Sequence, residues 1–169
     1  DDEPESRIWL GEANAIKDPT EVRFVAEAGN NLLVLGQRAD AAVALCCSAI
    51  LALAAQHRPE ELRIVVLDGT SETAGARERL RDLCQVLPHR IDIADNRHLA
   101  QTLAELAEVL KQCQEGTAAM RQRTFLLVLG LERFRALRQE DEYGFSSSEE
   151  QTASPAKNFA DLLSEGPGE

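Results

Sequence analysis

The residues that follow one apolar run lie where a phosphate-binding loop would lie, but several residue types that such a loop needs are missing. The run NLLVL at residues 31–35 is typical of a buried strand, and Gly36 and a helical pattern follow it at once. At such a junction, free backbone N–H groups and the helix dipole can hold a phosphate. The active loop, G-x-x-x-x-G-K-[ST], adds a lysine for the phosphates and a hydroxyl for magnesium. The second glycine, the lysine and the hydroxyl residue are replaced here by Ala41, Ala42 and Val43, which leaves Gly36, Gln37, Arg38 and Asp40 as candidate phosphate-binding residues.

Two carboxylates follow two other apolar runs. Asp68 comes after RIVVL at residues 63–67, where it either contributes to a ligand site or caps the turn formed with Gly69 and Thr70. Glu132 follows TFLLVL at residues 124–129, where a Walker B acid would polarise the attacking water; alternatively it is a structural or ion-pair residue. A Walker B strand also needs an aspartate for magnesium-bound water, and the neighbouring positions hold none. Glu132 is therefore the catalytic candidate and Asp68 a binding candidate.

The remaining reactive residue types give weaker signals. Arginines cluster at positions 77, 79 and 81 and again at 133, 135 and 138. They could act as arginine fingers or contact backbone phosphates, or they could form solvated helix faces. His57, His89 and His98 have no metal-ligand spacing, so no metal site is assigned. Cys46 and Cys47 lie in an Ala-rich run and are interpreted as small core residues.

Alternating strands and helices must position these residues. The patterns predict strands at 22–26, 31–35, 63–67, 90–94 and 124–129, and helices at 39–56, 72–86, 97–114 and 156–164. Helix 39–56 is apolar nearly all round, which predicts burial on most sides. Three of the strands are continuous apolar runs, as expected when both faces of a strand are buried. The fold class predicted is therefore α/β, with a mainly parallel sheet in three layers.

Ligands on such sheets bind at the carboxyl ends of the strands. The positions expected to meet there are 36–40, 68–70, 95–96 and 130–132.

The length of 169 residues and the charge distribution indicate one folded body with acidic ends. The net charge of −11 comes from residues 1–6 and 140–169, whereas the segment 7–138 holds equal numbers of acids and bases. We therefore expect an acidic tail at 1–6, a core at 7–138, a flexible Ser- and Glu-rich loop at 139–155 and a last helix with the chain end at 156–169. The neutral body offers no strong footprint for DNA.

The predicted location is the cytoplasm. The four cysteines include no CxxC pair and are not spaced as a disulfide framework, which fits a reducing compartment. A signal peptide is not recognised, and the apolar run at 41–55 is too short and Ala-rich for a membrane span, so no membrane contact is expected.

Several of these stretches together resemble the RecA-like ATPase domain of FtsK/SpoIIIE-type proteins, which include the EccC ATPases of type VII secretion. The matching stretches are RIWLGE (7–12), AIKDP (15–19), GNNLLVLGQ (29–37), VVLDG (65–69), LPH (87–89), LLVLGLERF (126–134) and EGP (165–167). The resemblance implies a RecA-like P-loop NTPase fold that uses ATP with magnesium, assembles as a ring or in tandem, and translocates DNA or protein. Gly36 matches the first glycine of the phosphate loop and Glu132 the Walker B acid, while the lysine and hydroxyl have no counterpart. Domains of this family also continue with at least one more core strand beyond the position of Gly168, so the resemblance implies a truncated sheet.

Three functions follow from these observations. The leading hypothesis is a degenerate, non-hydrolysing ATPase domain that assembles with or regulates neighbouring ATPase domains, binding ATP weakly or not at all and reaching DNA through the assembled ring. The second is an active DNA or protein translocase domain with an unusual phosphate loop. The third is a free-standing α/β binding protein without nucleotide.

Overall fold

The residues described by the computed structural model, 5–12, 14–70, 74–117, 122–138 and 154–168, form a mixed α/β chain. Its strands are β1 (Ser6–Gly11), β2 (Thr20–Phe24), β3 (Leu62–Asp68), β4 (Arg90–Ala94) and β5 (Arg123–Leu129), and its longer helices are α1 (Ala39–Gln56), α2 (Ala74–Val86), α3 (Leu99–Gln114) and α4 (Pro155–Ser164). The predicted α/β class is confirmed. The predicted acidic loop falls largely on residues 139–153, which lie outside the described ranges, as do the first four residues of the predicted tail.

Three strands form a parallel sheet in the order β4-β3-β5. Ile64 of β3 lies in register with Ile91 of β4 on one side and with Phe125 of β5 on the other. All seven residues of β3 are buried, which explains why its sequence is a continuous apolar run with no alternation. The predicted strands at 63–67, 90–94 and 124–129 are therefore confirmed within one or two residues.

Helices cover both faces of this sheet because alternate residues of β3 point to opposite sides. Ile64 and Val66 belong to a core cluster with residues of α1 and with Leu80 of α2. Leu67 belongs to a second cluster with Leu99 and Leu103 of α3, and Phe159 and Leu162 of α4 pack against that cluster. All four leucines that predicted α3, at 99, 103, 106 and 110, are buried.

A two-stranded antiparallel ribbon of β1 and β2 precedes the parallel sheet and packs on α1. The sequence predicts a strand at 22–26, where β2 spans Thr20–Phe24, but β1 was not predicted. The rings of Phe24 and Phe125 pack edge to face, with their centroids 5.7 Å apart. Ser6 Oγ lies 2.8 Å from His57 Nε2. Burial is the main cause that lowers the pKa of His57.

The predicted buried strand at 31–35 is wrong. This segment pairs with none of the described strands, and Leu33 and Leu35 are 71% and 85% exposed. The backbone N–H and C=O groups of residues 32–37 form no backbone hydrogen bond with any described residue. An apolar run indicates that a segment favours burial, but pairing also requires a neighbouring strand with a free edge on the correct side. No such neighbour lies beside it among the described strands.

Helix α1 has the predicted bounds, and part of its surface is exposed. Val43, Cys46, Ile50 and Leu53 face the core, whereas Leu51 is 48% exposed. Ala49 and Ala52 are buried as well, so burial extends around much of the helix and leaves an exposed strip that includes Leu51. Helix α1 is long and apolar enough to cross a membrane, but its buried residues belong to the core of this fold.

The cysteines are free thiols, and Cys46 is a buried core residue as the sequence predicts. Burial raises the pKa of the Cys46 thiol to about 12 and that of Cys84 to about 11. Both side chains are therefore neutral at physiological pH and serve as small apolar groups.

Candidate functional site

A cleft of about 280 Å³ opens at the carboxyl ends of the three parallel strands. The chain passes from β3 outward to β4 and then crosses back to β5 on the other side of β3, so the loops leave the sheet in opposite directions. This reversal of direction creates the cleft. The cleft is lined by Asp68, Gly69, Thr70, Arg77, Asp95, Asn96, Arg97, Arg133 and Phe134.

The floor of the cleft depends on a close approach between the ends of β3 and β5. The N–H of Gly69 donates to the carbonyl oxygen of Leu129 at 2.8 Å. A Cβ at position 69 would lie 2.8 Å from the carbonyl oxygens of Leu129 and Gly130 and from Cε2 of Phe134. Position 69 therefore has room for a hydrogen atom but not for a side chain.

Asp68 lies beneath this floor with its side chain 1% exposed. Its Oδ1 accepts hydrogen bonds from the backbone N–H and the hydroxyl of Thr70, at 3.0 and 2.6 Å. Its Oδ2 lies 2.6 Å from Arg77 Nε. This contact is an ion pair whose N–H does not point at the oxygen, so neither atom has a well-formed hydrogen bond in the described structure. Asp68 thus caps the turn, which is one of the two roles that the sequence allowed. It also positions Arg77 at the cleft.

The second carboxylate of the cleft is also engaged by its own loop. Asp95 Oδ1 accepts from the backbone N–H groups of Arg97 and His98 at 3.0 and 3.3 Å, and lies 2.8 Å from His98 Nδ1. The hydrogen bond with His98 is the main cause that lowers the pKa of Asp95. Asp95 therefore closes the turn that precedes α3 through Oδ1 and contributes to the lining of the cleft.

The arginines of the cleft are less engaged than its acids. Arg97 has no ion-pair partner among the described residues, and Arg133 Nε lies 3.7 Å from Glu132 Oε1. Three guanidinium groups thus face two carboxylates, each of which already accepts hydrogen bonds at one oxygen. The cleft has a surplus of positive charge at an edge where α/β sheets bind ligands.

The predicted phosphate-loop residues do not line this cleft. Gly36, Gln37, Arg38 and Asp40 are exposed at the start of α1. Arg38 forms a two-pronged contact with Asp40, at 2.6 Å from Nη2 to Oδ2 and 3.3 Å from Nε to Oδ1. This hydrogen bonding is the main cause that lowers the pKa of Asp40. The single cation of the loop is therefore neutralised by the loop itself.

Glu132 does not line the cleft either. Its side chain is 74% exposed, and its nearest cation is the adjacent Arg133. The neighbours Arg133 and Phe134 line the cleft instead. Three of the four predicted strand ends do meet, through Asp68, Asp95 and the turn after β5, whereas the end at 36–40 stays apart.

Sequence reasoning missed Arg97 and the particular role of Arg133. Arg97 comes directly after the predicted strand end 95–96, and Arg133 directly after 130–132. Their positions just after strands could therefore have identified both arginines as candidates. Within the described ranges, no three His, Cys, Asp or Glu side chains come together as metal ligands. Comparison with protein-family models, with curated proteins and with solved structures gives no match, so the case for a function rests on this geometry.

Proposed function

We propose that this chain is a degenerate ATPase domain of the FtsK/SpoIIIE type, with a RecA-like sheet, that does not hydrolyse ATP by itself. It acts in the cytoplasm by assembling with neighbouring domains of the same kind. The observation that carries the proposal is an exposed apolar surface at residues 32–35.

This apolar surface has the properties of an interface that lacks its partner. Its members are Leu32, Leu33, Val34 and Leu35, which are 38–85% exposed. On α1, Leu51 is an exposed apolar side chain as well. Contiguous exposed apolar residues mark interaction sites in soluble proteins. A helix that is apolar on all sides is normally covered on all sides, and α1 is not.

A second copy of the chain can supply the missing partner. Among the described strands β5 pairs with β3 alone, so residues 124–129 have an outer edge that no described strand covers. The backbone groups of residues 32–37 make no backbone hydrogen bond with a described residue, and residues 32–35 have strand-like apolar side chains. Addition of such a segment to the edge of another domain's sheet satisfies both sets of groups.

The absence of hydrolysis follows from the residues at the loop. The lysine and magnesium-binding hydroxyl of an active phosphate loop are replaced by Ala42 and Val43. Catalysis of phosphoryl transfer is mostly electrostatic stabilisation and positioning, and loss of one such donor costs about 10²–10³ in rate. With both absent, and with Arg38 neutralised by Asp40, little stabilisation is left for the transition state.

We therefore expect the purified chain with ATP and magnesium to release phosphate at the rate of buffer alone. A coupled phosphate-release assay measures this, and Glu132→Gln should leave the rate unchanged. Turnover that Glu132→Gln abolishes would contradict the proposal and favour an active translocase domain. Calorimetric titration with ATP adds a second readout: Gly36→Asp should leave any binding unchanged, whereas loss of saturable binding would establish the loop as a nucleotide site.

Self-association of the purified chain is the second expectation. Sedimentation equilibrium should detect association that rises with protein concentration and is weakened at least tenfold by the double substitution Leu33→Ser and Leu35→Ser. Burial of one exposed leucine contributes about 1.5–3 kcal/mol, so loss of two exceeds that factor even if burial is partial.

Val86→Ser is the matched control for this experiment. Val86 ends α2, is 77% exposed and lies outside the apolar surface, so its removal should leave association unchanged. A wild-type chain that stays monomeric at all concentrations, or equal weakening by both variants, would contradict assembly through this surface.

A further inference from the structure

We propose that the strand-end cleft binds the phosphate group of a small phosphorylated ligand through Arg77, Arg97 and Arg133. This site is separate from the loop at residues 36–40, and the inference does not depend on the proposed relation to ATPase domains. It rests on where the three arginines lie and on how the acids around them are occupied.

Arg77 is held in place for this role. Its side chain is 21% exposed, and its Nε contacts the buried Oδ2 of Asp68 at 2.6 Å. The contact is made through Nε, and Nη1 and Nη2 form no ion pair with a described residue. Because the carboxylate beneath is fixed by two hydrogen bonds from Thr70, the arginine is ordered before a ligand arrives. Such preorganisation reduces the entropy lost on binding.

Arg97 and Arg133 approach from two other loops. Arg97 follows β4, and Arg133 lies in the short 3-10 turn after β5. The three cations therefore come from three segments that the sheet brings to one edge, and not from one solvated helix face. Asn96 and Thr70 add polar groups to the lining.

The arrangement favours phosphate over a carboxylate. A phosphate monoester carries up to two negative charges on three terminal oxygens, so it can accept hydrogen bonds from several guanidinium groups at once. A carboxylate has two oxygens in one plane and one charge, which a single arginine satisfies. A cation is disfavoured because three arginines face two aspartates in the lining, and one oxygen of each aspartate already accepts from protein donors.

The test uses inorganic phosphate as the probe, titrated into the purified chain by calorimetry. We expect saturable binding in the millimolar range, and at least tenfold weaker binding in the double variant Arg97→Gln, Arg133→Gln. Both side chains are exposed, so the variant should keep the wild-type melting temperature. Acetate should bind at least tenfold more weakly than phosphate.

The control is the double variant Arg81→Gln, Arg135→Gln. It makes the same change in net charge with two exposed arginines that do not line the cleft, and it should bind phosphate like the wild type. Equal losses in the two double variants would show general charge attraction and overturn the proposal. Absence of saturable phosphate binding by the wild type, or equal affinity for acetate, would also overturn it.

Discussion

Replacement of Gly69 by alanine is expected to destabilise the fold by about 3 kcal/mol, the upper part of the range for overpacking in a close-packed interior. The added Cβ would lie 2.8 Å from two carbonyl oxygens, those of Leu129 and Gly130, and from the ring of Phe134. A flexible side chain could move away from such a contact, but two backbone carbonyls at the end of β5 cannot move without disturbing the sheet. Urea denaturation followed by circular dichroism measures the free energy of unfolding.

Gly75→Ala is the matched control for this substitution. Apart from the backbone of α2 itself, no atom of the described residues lies within 4 Å of a Cβ built at Gly75. Alanine is a better helix former than glycine, so this variant should be unchanged or more stable by about 0.5 kcal/mol. If Gly69→Ala proves as stable as Gly75→Ala, the ends of β3 and β5 do not approach as closely as described.

Asp68→Asn is expected to lower the free energy of unfolding by about 2–3 kcal/mol. Removal of one partner from a buried ion pair costs about 3–5 kcal/mol because the other charge is left without compensation. The partial exposure of Arg77 reduces this figure, since water can reach part of the guanidinium. The asparagine keeps an acceptor for Thr70, so the turn itself should survive and the loss reports on the charge.

Asp40→Asn provides a comparison with the same chemistry at the surface. Its ion pair with Arg38 is also 2.6 Å long, but both side chains are more than half exposed. Solvent-exposed pairs contribute little to stability, so the urea midpoint should hardly change.

Adding Arg77→Met to Asp68→Asn should recover part of the lost stability, because no unpaired buried charge remains. Equal stability of Asp68→Asn and the wild type would show that Asp68 does not hold Arg77 in the folded protein.

Local patterns predicted most of the helices and the central sheet. The leucine spacing from Leu99 to Leu110 predicted the buried side of α3, and the run at 63–67 predicted a strand buried on both faces. These signals are properties of a few consecutive residues. The error at 31–35 arose because an apolar run reports a preference for burial and carries no information about which segment covers it. The exposed strip of α1 has the same origin.

The candidate site was predictable to the extent that it follows from sheet topology. Parallel strands end at one edge, and that rule brought Asp68, Asp95 and the turn after β5 together before any contact was known. The same rule placed residues 36–40 there, which required the run at 31–35 to join the sheet. Individual side chains were not predictable, because Glu132 and Arg133 are adjacent in sequence and the conformation of one short turn decides which of them lines the cleft.

The position of the β1–β2 ribbon has a consequence for the order in which the chain folds. Ser6 Oγ accepts a hydrogen bond from Arg123 Nη1 at 3.1 Å, although the two residues are 117 positions apart. The ribbon's other contacts are much closer in sequence, because Ser6 also meets His57 at the end of α1, only 51 positions away. That separation is shorter than the one between Leu62 of β3 and its partner Arg123 of β5. Because closing a shorter loop costs less entropy, the ribbon is expected to dock on α1 before β5 joins the sheet. During synthesis the link from Ser6 to Arg123 then forms last and fastens an early part of the fold to its latest strand.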